Sequence, residues 1–342
     1  MSLKNLSVKN KIHKQYKVKL SNLRVNQIYK KFENSFKLDK SFIVAVSGGA
    51  DSLALAFLTK LFALKNNLKP KYYIVDHKLR KESTLEALKV KKTLNSLNIS
   101  SKILTVTGKK PKNRIQSFAR EKRYELLFSE CKKFKINNLI LGHHMDDIIE
   151  NFFLRMARGS GLKGLVSLGE RTQIQNINLI RPLIKLHKKD LLFLSKFVFN
   201  FYVDDSSNYD PKFNRIKIRN FIKQLNSSGF DKNKFQLTIE NLKRSDQTIK
   251  FYVEKNKKIN SIINHRKKEL ILKEDFFDNS YEVVFRSLSD LIHYVGKKQN
   301  SVRGKKIDNI LKKIKNNTLF KETLGGCVIK KVNHTVILRK EY

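Results

Sequence analysis

The chain has 342 residues and a hydrophobic content of 40%, enough for a sizeable core in two domains rather than a disordered polymer. Lys and Arg number 72 against 30 Asp and Glu, a net charge of +42, which points to a polyanionic partner, nucleic acid above all. Cys131 and Cys327 form no CxxC and no Cys/His pair at metal-ligand spacing, which excludes structural zinc, iron–sulfur clusters and a disulfide framework; with no signal-like apolar region and no apolar run of spanning length, a cytoplasmic protein with no membrane partner is expected.

Residues 1–40 are a basic lead-in with helical spacing at Ile28, Tyr29 and Phe32 and no chemical motif. The apolar run Phe42–Val46 then reads as a strand, followed by Ser47-Gly48-Gly49-Ala50-Asp51-Ser52 and the helical pattern Leu53–Phe62. Two glycines open turn conformations to the backbone, and the loop amides with the positive end of a helix suit a bound phosphate chain. No Gly-Lys-Ser/Thr follows, so the loop is not a Walker A sequence, and no lysine is placed in it to reach a γ-phosphate. Asp51 adds a carboxylate where Mg²⁺ could bridge phosphate oxygens, and the hydroxyls of Ser47 and Ser52 can hold those oxygens.

Further strand-like runs at Tyr72–Val75, Ile103–Val106, Leu139–Leu141 and Leu179–Ile180 alternate with helical segments. Such alternation predicts an α/β domain with a parallel sheet covered by helices on both faces, its ligands at the carboxyl ends of the strands. Gln116–Tyr124 reads as a helix on which Arg120 and Arg123, at i and i+3, project together and could clamp phosphate. Gly142–Asn151 (GHHMDDIIEN) follows the strand Leu139–Leu141; on a helix His143, Asp147 and Glu150 would share a face, suited to magnesium or to gripping an ammonium group. Asp205–Asp210 and the basic stretch Arg215–Arg219 come just before a polar, turn-rich segment at 224–233. The catalytic domain is therefore placed at 41–225 and a smaller, mainly helical domain at 226–342, with helices at Phe235–Ile263, Tyr281–Tyr294 and Arg303–Ile314, then Gly325-Gly326 and a closing hairpin of Val328–Val332 with Thr335–Leu338.

SGGADS resembles the SGGxDS loop of the PP-loop ATP pyrophosphatases, whose fold is of the adenine nucleotide α-hydrolase kind. With VDHKLR (75–80), FAREKRY, GHHMDDIIEN followed by RGSGLKGL, and DDSSNYDPKFNRIKIR in the same order, the stretch from Ser41 to Arg219 is similar to the tRNA(Ile)-lysidine synthetase family. The second half resembles that family's first C-terminal tRNA-binding domain, and the expectation is a short form. The resemblance implies ATP-dependent ligation of free L-lysine to C2 of the wobble cytidine in a tRNA(Ile) with a CAU anticodon. An adenylated tRNA intermediate is implied, with AMP and diphosphate released and codon specificity changed from AUG to AUA. ATP would lie on Ser47, Gly48, Gly49, Ala50, Asp51 and Ser52, with Mg²⁺ on Asp51. Asp147 and Glu150 would serve lysine recognition or tune the amine's proton, and Arg123 and Arg215 the phosphates or the adenylated intermediate. Two positions depart from the family: Lys78 stands where glycine is common in VDHGLR, and Ile216 follows Arg215 where Asn is common. The alternatives are another PP-loop tRNA-modifying enzyme such as a thiolase, which would call for positioned cysteines, and a non-catalytic RNA-binding protein.

Overall fold

The computed structural model describes residues 14–80, 82–108, 111, 113, 115–203, 214–298 and 302–341, with side chains from 216 onward in the segment that opens at 214. They form two compact units, Met1–Gln236 and Leu237–Tyr342. The division falls inside one long helix, just past the polar stretch at 224–233. Among the described residues no helix is long and apolar enough to cross a membrane.

The first unit is built on β1 (Ile43–Val46), β2 (Lys71–Asp76), β3 (Ser101–Thr105), β4 (Asn138–Ile140), β5 (Arg171–Ile174) and β6 (Ile177–Ile180), ordered β3-β2-β1-β4-β6-β5. All pairings are parallel except that of β5 with β6. In β1 the side chains alternate between two cores, Val44 and Val46 on one face and Ile43 with Ala45 on the other, as a central strand covered on both sides must. The Ile43 face packs against α5 (Ile115–Lys133) through Leu127, Phe128 and Cys131. The Val44 face meets α3 (Ala50–Lys65), α4 (Ser83–Asn95) and α8 (Lys188–Phe199).

Helix α3 is apolar on nearly every side, and Leu53, Ala54, Leu55, Ala56, Phe57 and Leu58 are fully buried. A helix of that kind is an interior helix, not a surface one. The reason is that α1 (Lys14–Leu20) and α2 (Leu23–Ser35) close over it, so the described part of the basic lead-in, from Lys14 onward, joins the core. Tyr16 stacks on Phe57 with centroids 5.8 Å apart, and Phe32, Phe36, Phe42 and Phe62 form a run of ring contacts. Ile28, Tyr29 and Phe32, the positions marked by helical spacing, are buried. Asn22 caps α2 by accepting from the N–H groups of Arg24 and Val25.

The edge hairpin β5–β6 turns through Gln175 and Asn176, both at positive φ, as a two-residue hairpin turn requires. Helix α6 (Met145–Met156) leaves the end of β4, is followed by the short α7 (Leu162–Leu165), and packs with α9 (Asn214–Ser227) through Met145, Ile149, Phe153 and Ile222.

The second unit holds most of α10 (Lys232–Asn260), then β7 (Ser261–Asn264), β8 (Glu269–Leu272), α11 (Tyr281–Gly296), α12 (Gly304–Lys315), β9 (Lys321–Leu324), β10 (Cys327–Val332) and β11 (Thr335–Lys340). The expected closing hairpin is present as β10–β11, and three more strands extend it into an antiparallel sheet of order β7-β8-β11-β10-β9. Leu288 and Ile292 of α11 and Ile307, Ile310 and Ile314 of α12 face that sheet through Leu272, Ile329 and Leu338.

Gly48 sits at φ +90, and a Cβ there would lie 2.5 Å from Cγ2 of Val90 and 3.1 Å from Cγ2 of Val203. Replacement by alanine meets both left-handed strain and a clash, so Gly48→Ala should lower stability by about 1–3 kcal/mol in urea unfolding. An unchanged midpoint would contradict this backbone account of the loop.

Candidate active site

β1 is flanked by β2 on one side and β4 on the other, so chain connections leave it in opposite directions and a crevice opens at the carboxyl ends of these strands. Into it project the loop after β1, the turn after β2 and the turn after β4. A cavity of about 430 Å³ lies there, lined among others by Ser47, Asp51, His77, Arg120, Arg123 and Asp147.

The loop is organised from within. The Oγ of Ser52 accepts from the N–H groups of Ser47 (3.1 Å) and Gly48 (3.0 Å) and donates to the carbonyl of Gly49 (2.9 Å). Ser52 thus takes two of the loop amides to hold the turn. Gly49, as N-cap, and Ala50 and Asp51, the first two residues of α3, lack an intrahelical acceptor for their N–H groups, which leaves them for a phosphate.

The turn after β4 corrects an expectation. Helix α6 begins at Met145, so His143 precedes it and shares no helical face with Asp147 and Glu150. The cause is capping. His144 is the N-cap: its Nδ1 accepts from Asp146 N–H (3.1 Å), and the Asp147 carboxylate accepts from His144 N–H (2.9 Å), a capping box with histidine in the usual serine position. The other ring nitrogen, Nε2, lies 3.6 Å from Asp51 Oδ2 and 3.7 Å from Asp147 Oδ2. His144 therefore stands between Asp51 and Asp147, two of the three carboxylates that the sequence singled out. Burial favours the neutral ring, but the hydrogen bond to Asp51 and the charges of Asp147 and Asp51 outweigh it and raise the pKa above the ordinary value.

Asp51 has a second partner. Lys188, the first residue of α8, places Nζ 2.6 Å from Oδ2 and 2.8 Å from Oδ1. Burial works to raise the carboxyl pKa, yet the hydrogen bond and charge of His144 and then the charge of Lys188 hold it below the ordinary value. Glu150 is set apart. It is buried and accepts from Arg219 Nε of α9 at 2.5 Å, and it does not line the cavity. Asp147 does line it, which separates two carboxylates that sequence spacing had paired.

The opposite wall is basic. Arg120 lies over the Tyr124 ring at 5.1 Å, and Arg123 donates to His77 Nε2 through Nε (3.3 Å) and Nη2 (3.2 Å). That bond fixes the His77 proton on Nδ1, a buried atom with no hydrogen-bond partner among the described residues. Burial first, and then the charge of Arg123, push the His77 pKa down to about 4, with Asp76 opposing. His143 is likewise pushed down to about 4 by burial, against the pull of Asp147 and with help from Arg181, Arg120 and Arg123. Asp76, at the end of β2, accepts from Lys78 N–H (2.9 Å) and Thr84 Oγ1 (2.7 Å) and so shapes the turn. Lys78, the residue standing where glycine is common, is at φ +50: the left-handed backbone is kept although the glycine is not. Asp205–Asp210 lies outside the described residues, as does the side chain of Arg215, whose backbone is in α9.

A divalent cation would find one carboxylate in Asp51 at an amide-lined helix start, with phosphate oxygens and water to complete its shell, a donor set that suits Mg²⁺. Among the described residues no three His, Cys, Asp or Glu side chains converge into a cage of their own. Neither Cys131 nor Cys327 lines the cavity; both are buried, with thiol pKa values pushed up to about 11 and about 12.

A PP-loop domain model matches residues 19–226. The tRNA(Ile)-lysidine synthase of Rickettsia akari is 33% identical over 328 residues, covering 92% of this chain and 74% of the relative. That of Orientia tsutsugamushi is 31% identical over 322 residues, covering 90% and 71%. Among solved structures, a U34-tRNA thiolase from Methanococcus maripaludis with its [4Fe-4S] cluster shares the fold with a TM-score of 0.55, at 18% identity over 65% of this chain and 78% of that one.

His77 and His143 are neutral in the fold with pKa values near 4, below the ordinary 6.5. Between those values the unfolded chain binds more protons than the folded one, so their contribution to stability is whole above pH 6.5 and lost as pH falls towards 4. Tm should drop over that window, and the drop should be shallower in a His77→Asn, His143→Asn double variant. Equal slopes in the two proteins would overturn the assignment of neutral buried rings.

Proposed function

The chain belongs to the PP-loop family and, within it, to the tRNA(Ile)-lysidine synthases, and from that premise we propose how its cavity divides the work. It is an ATP-binding ligase that forms a carbon–nitrogen bond, making lysidine on tRNA(Ile). In the finer reading the acceptor is the wobble cytidine of a CAU anticodon, the amine is that of free L-lysine and the nucleotide is bound with Mg²⁺. The observation that supports it is a single cavity flanked by two carboxylates, Asp51 and Asp147, with His144 between them and arginines opposite.

In the first step the C2 oxygen of the cytidine attacks the α-phosphorus of ATP, the bond from that phosphorus to the bridging oxygen breaks, and diphosphate leaves. The N–H groups of Gly49, Ala50 and Asp51 receive the phosphates at the positive end of α3, and Asp51 would hold the cation that offsets their charge. Arg123 would contact the phosphates or the adenylated intermediate, a role proposed also for Arg215, whose side chain lies outside the described residues. A C2 oxygen carrying AMP is a far better leaving group than a bare carbonyl oxygen.

In the second step the ε-amine attacks C2, the C2–O bond breaks, and AMP departs with that oxygen. Asp147 lines the cavity and keeps part of its surface open, which supports a role in binding the ammonium form and taking up a proton as the amine attacks. Glu150 enters this scheme through Arg219, whose guanidinium it holds beside α6. The base must be splayed from the anticodon loop for its C2 edge to reach the cavity, and the basic excess of the chain suits the flanking phosphates.

A sulfur-transfer reading lacks support, because none of the cavity-lining residues is a cysteine. The test supplies ATP, Mg²⁺ and labelled lysine with an unmodified CAU-anticodon tRNA(Ile) transcript, and an elongator tRNA(Met) transcript as control. Stable label in tRNA(Ile) alone is expected. Label in neither RNA, or in both, would contradict the proposal.

A further inference from the structure

The loop Ser47–Ser52 contains no lysine, yet a triphosphate entering the cavity needs its charge met close to the β- and γ-phosphates. A cation reaches the loop from 137 residues further along the chain: Lys188 Nζ grips both carboxylate oxygens of Asp51. The backbone that carries it is fixed. His187 is the N-cap of α8, Leu186 before it is buried, and Leu191 and Leu194 after it are fully buried in the core shared with α3. The side chain is not fixed in the same way. It is about two-fifths exposed and has a flexible four-carbon stem.

The electrostatics of the place are unfavourable for a lysine. It occupies the first turn of α8, where the helix dipole favours an acid, and its ammonium lies at the equally positive start of α3. What offsets this is the Asp51 carboxylate. A divalent cation taken up by the same carboxylate would face the ammonium within a few ångströms and repel it, and the nearest new negative charge would be that of the phosphates.

We propose that Lys188 is an internal counter-ion: it holds Asp51 while no nucleotide is bound, yields the carboxylate to the incoming divalent cation, and moves to the β- and γ-phosphate oxygens, where it steadies the departing diphosphate. This rests on the reading of Asp51 as the cation-holding carboxylate. It adds a phosphate contact that the motif itself does not contain and a competition between a lysine and a metal for one side chain.

The test uses the full chain without RNA, so its outcome is independent of whether lysidine is formed. Mn²⁺ alone is titrated into wild type, Lys188→Met, Lys188→Arg and Asp51→Asn and followed by the electron paramagnetic resonance of free Mn²⁺; ATP with Mn²⁺ is then titrated by calorimetry. With the internal competitor gone, Lys188→Met should bind Mn²⁺ tighter by about fivefold, the scale of one half-exposed ion pair, and bind the nucleotide complex weaker by at least about as much. Lys188→Arg should stay close to wild type in free Mn²⁺ binding, and Asp51→Asn should lose it. Lys188→Gln replaces the Met variant if circular dichroism shows that one unfolded. Unchanged Mn²⁺ affinity in the charge-removed variant, or nucleotide affinity equal to wild type, would overturn the proposal, since a purely structural lysine leaves both where they were.

Discussion

The start of α3 points its open amides into the crevice that forms where β2 and β4 run on either side of β1. That placement depends on β1 being the central strand and α3 an interior helix, held by apolar contact on nearly all sides. A rigid helix start gives a fixed set of N–H groups and a fixed positive potential, and the cost of orienting them is met when the chain folds rather than when a phosphate arrives. The Ser52 hydroxyl fits the same scheme. By holding the Ser47 and Gly48 amides it makes the turn rigid, so the amides that follow are aimed.

Around this point the charge is arranged against the trend of the chain. A protein with 72 basic and 30 acidic side chains places Asp51, Asp76 and Asp147 in one cavity, and each is tied by hydrogen bonds or ion pairs into a defined geometry. Asp76 shapes a turn, Asp51 is shared by Lys188 and His144, and Asp147 closes the cap of α6 while facing the cavity. The basic side chains around them are in turn occupied: Arg123 on His77, Arg219 on Glu150, Lys232 on Asp146 at 2.7 Å.

Much of this was legible in the sequence because it is written in local signals. Short apolar runs ending in polar clusters marked the parallel strands, and two glycines between a strand and a helix marked the loop. Helical spacing at Ile28, Tyr29 and Phe32 showed a buried face, though not that it covers α3. What could not be read were features fixed by tertiary contact or by unusual chemistry. His144 as an N-cap has no propensity signal, so the helix seemed to begin before His143 and the spacing of His143, Asp147 and Glu150 misled. The hairpin of β5 and β6 turns on Gln175-Asn176 rather than on an Asn-Gly pair and was missed. Strands β7, β8 and β9 are short, polar in part and stable only as partners of β11 and β10. Lys188 and Arg219 are one lysine and one arginine among many, and only the fold selects them.

The central claim is that Asp51 and Asp147, although both border His144, serve different steps. The most direct measurement is rapid-quench analysis of Asp147→Asn with ATP, lysine and CAU-anticodon tRNA(Ile), following diphosphate and lysidine in the same samples. The account predicts a burst of diphosphate and a build-up of adenylated tRNA with little lysidine. Loss of the diphosphate burst together with lysidine would contradict it, because Asp147 would then belong to the phosphate step as well.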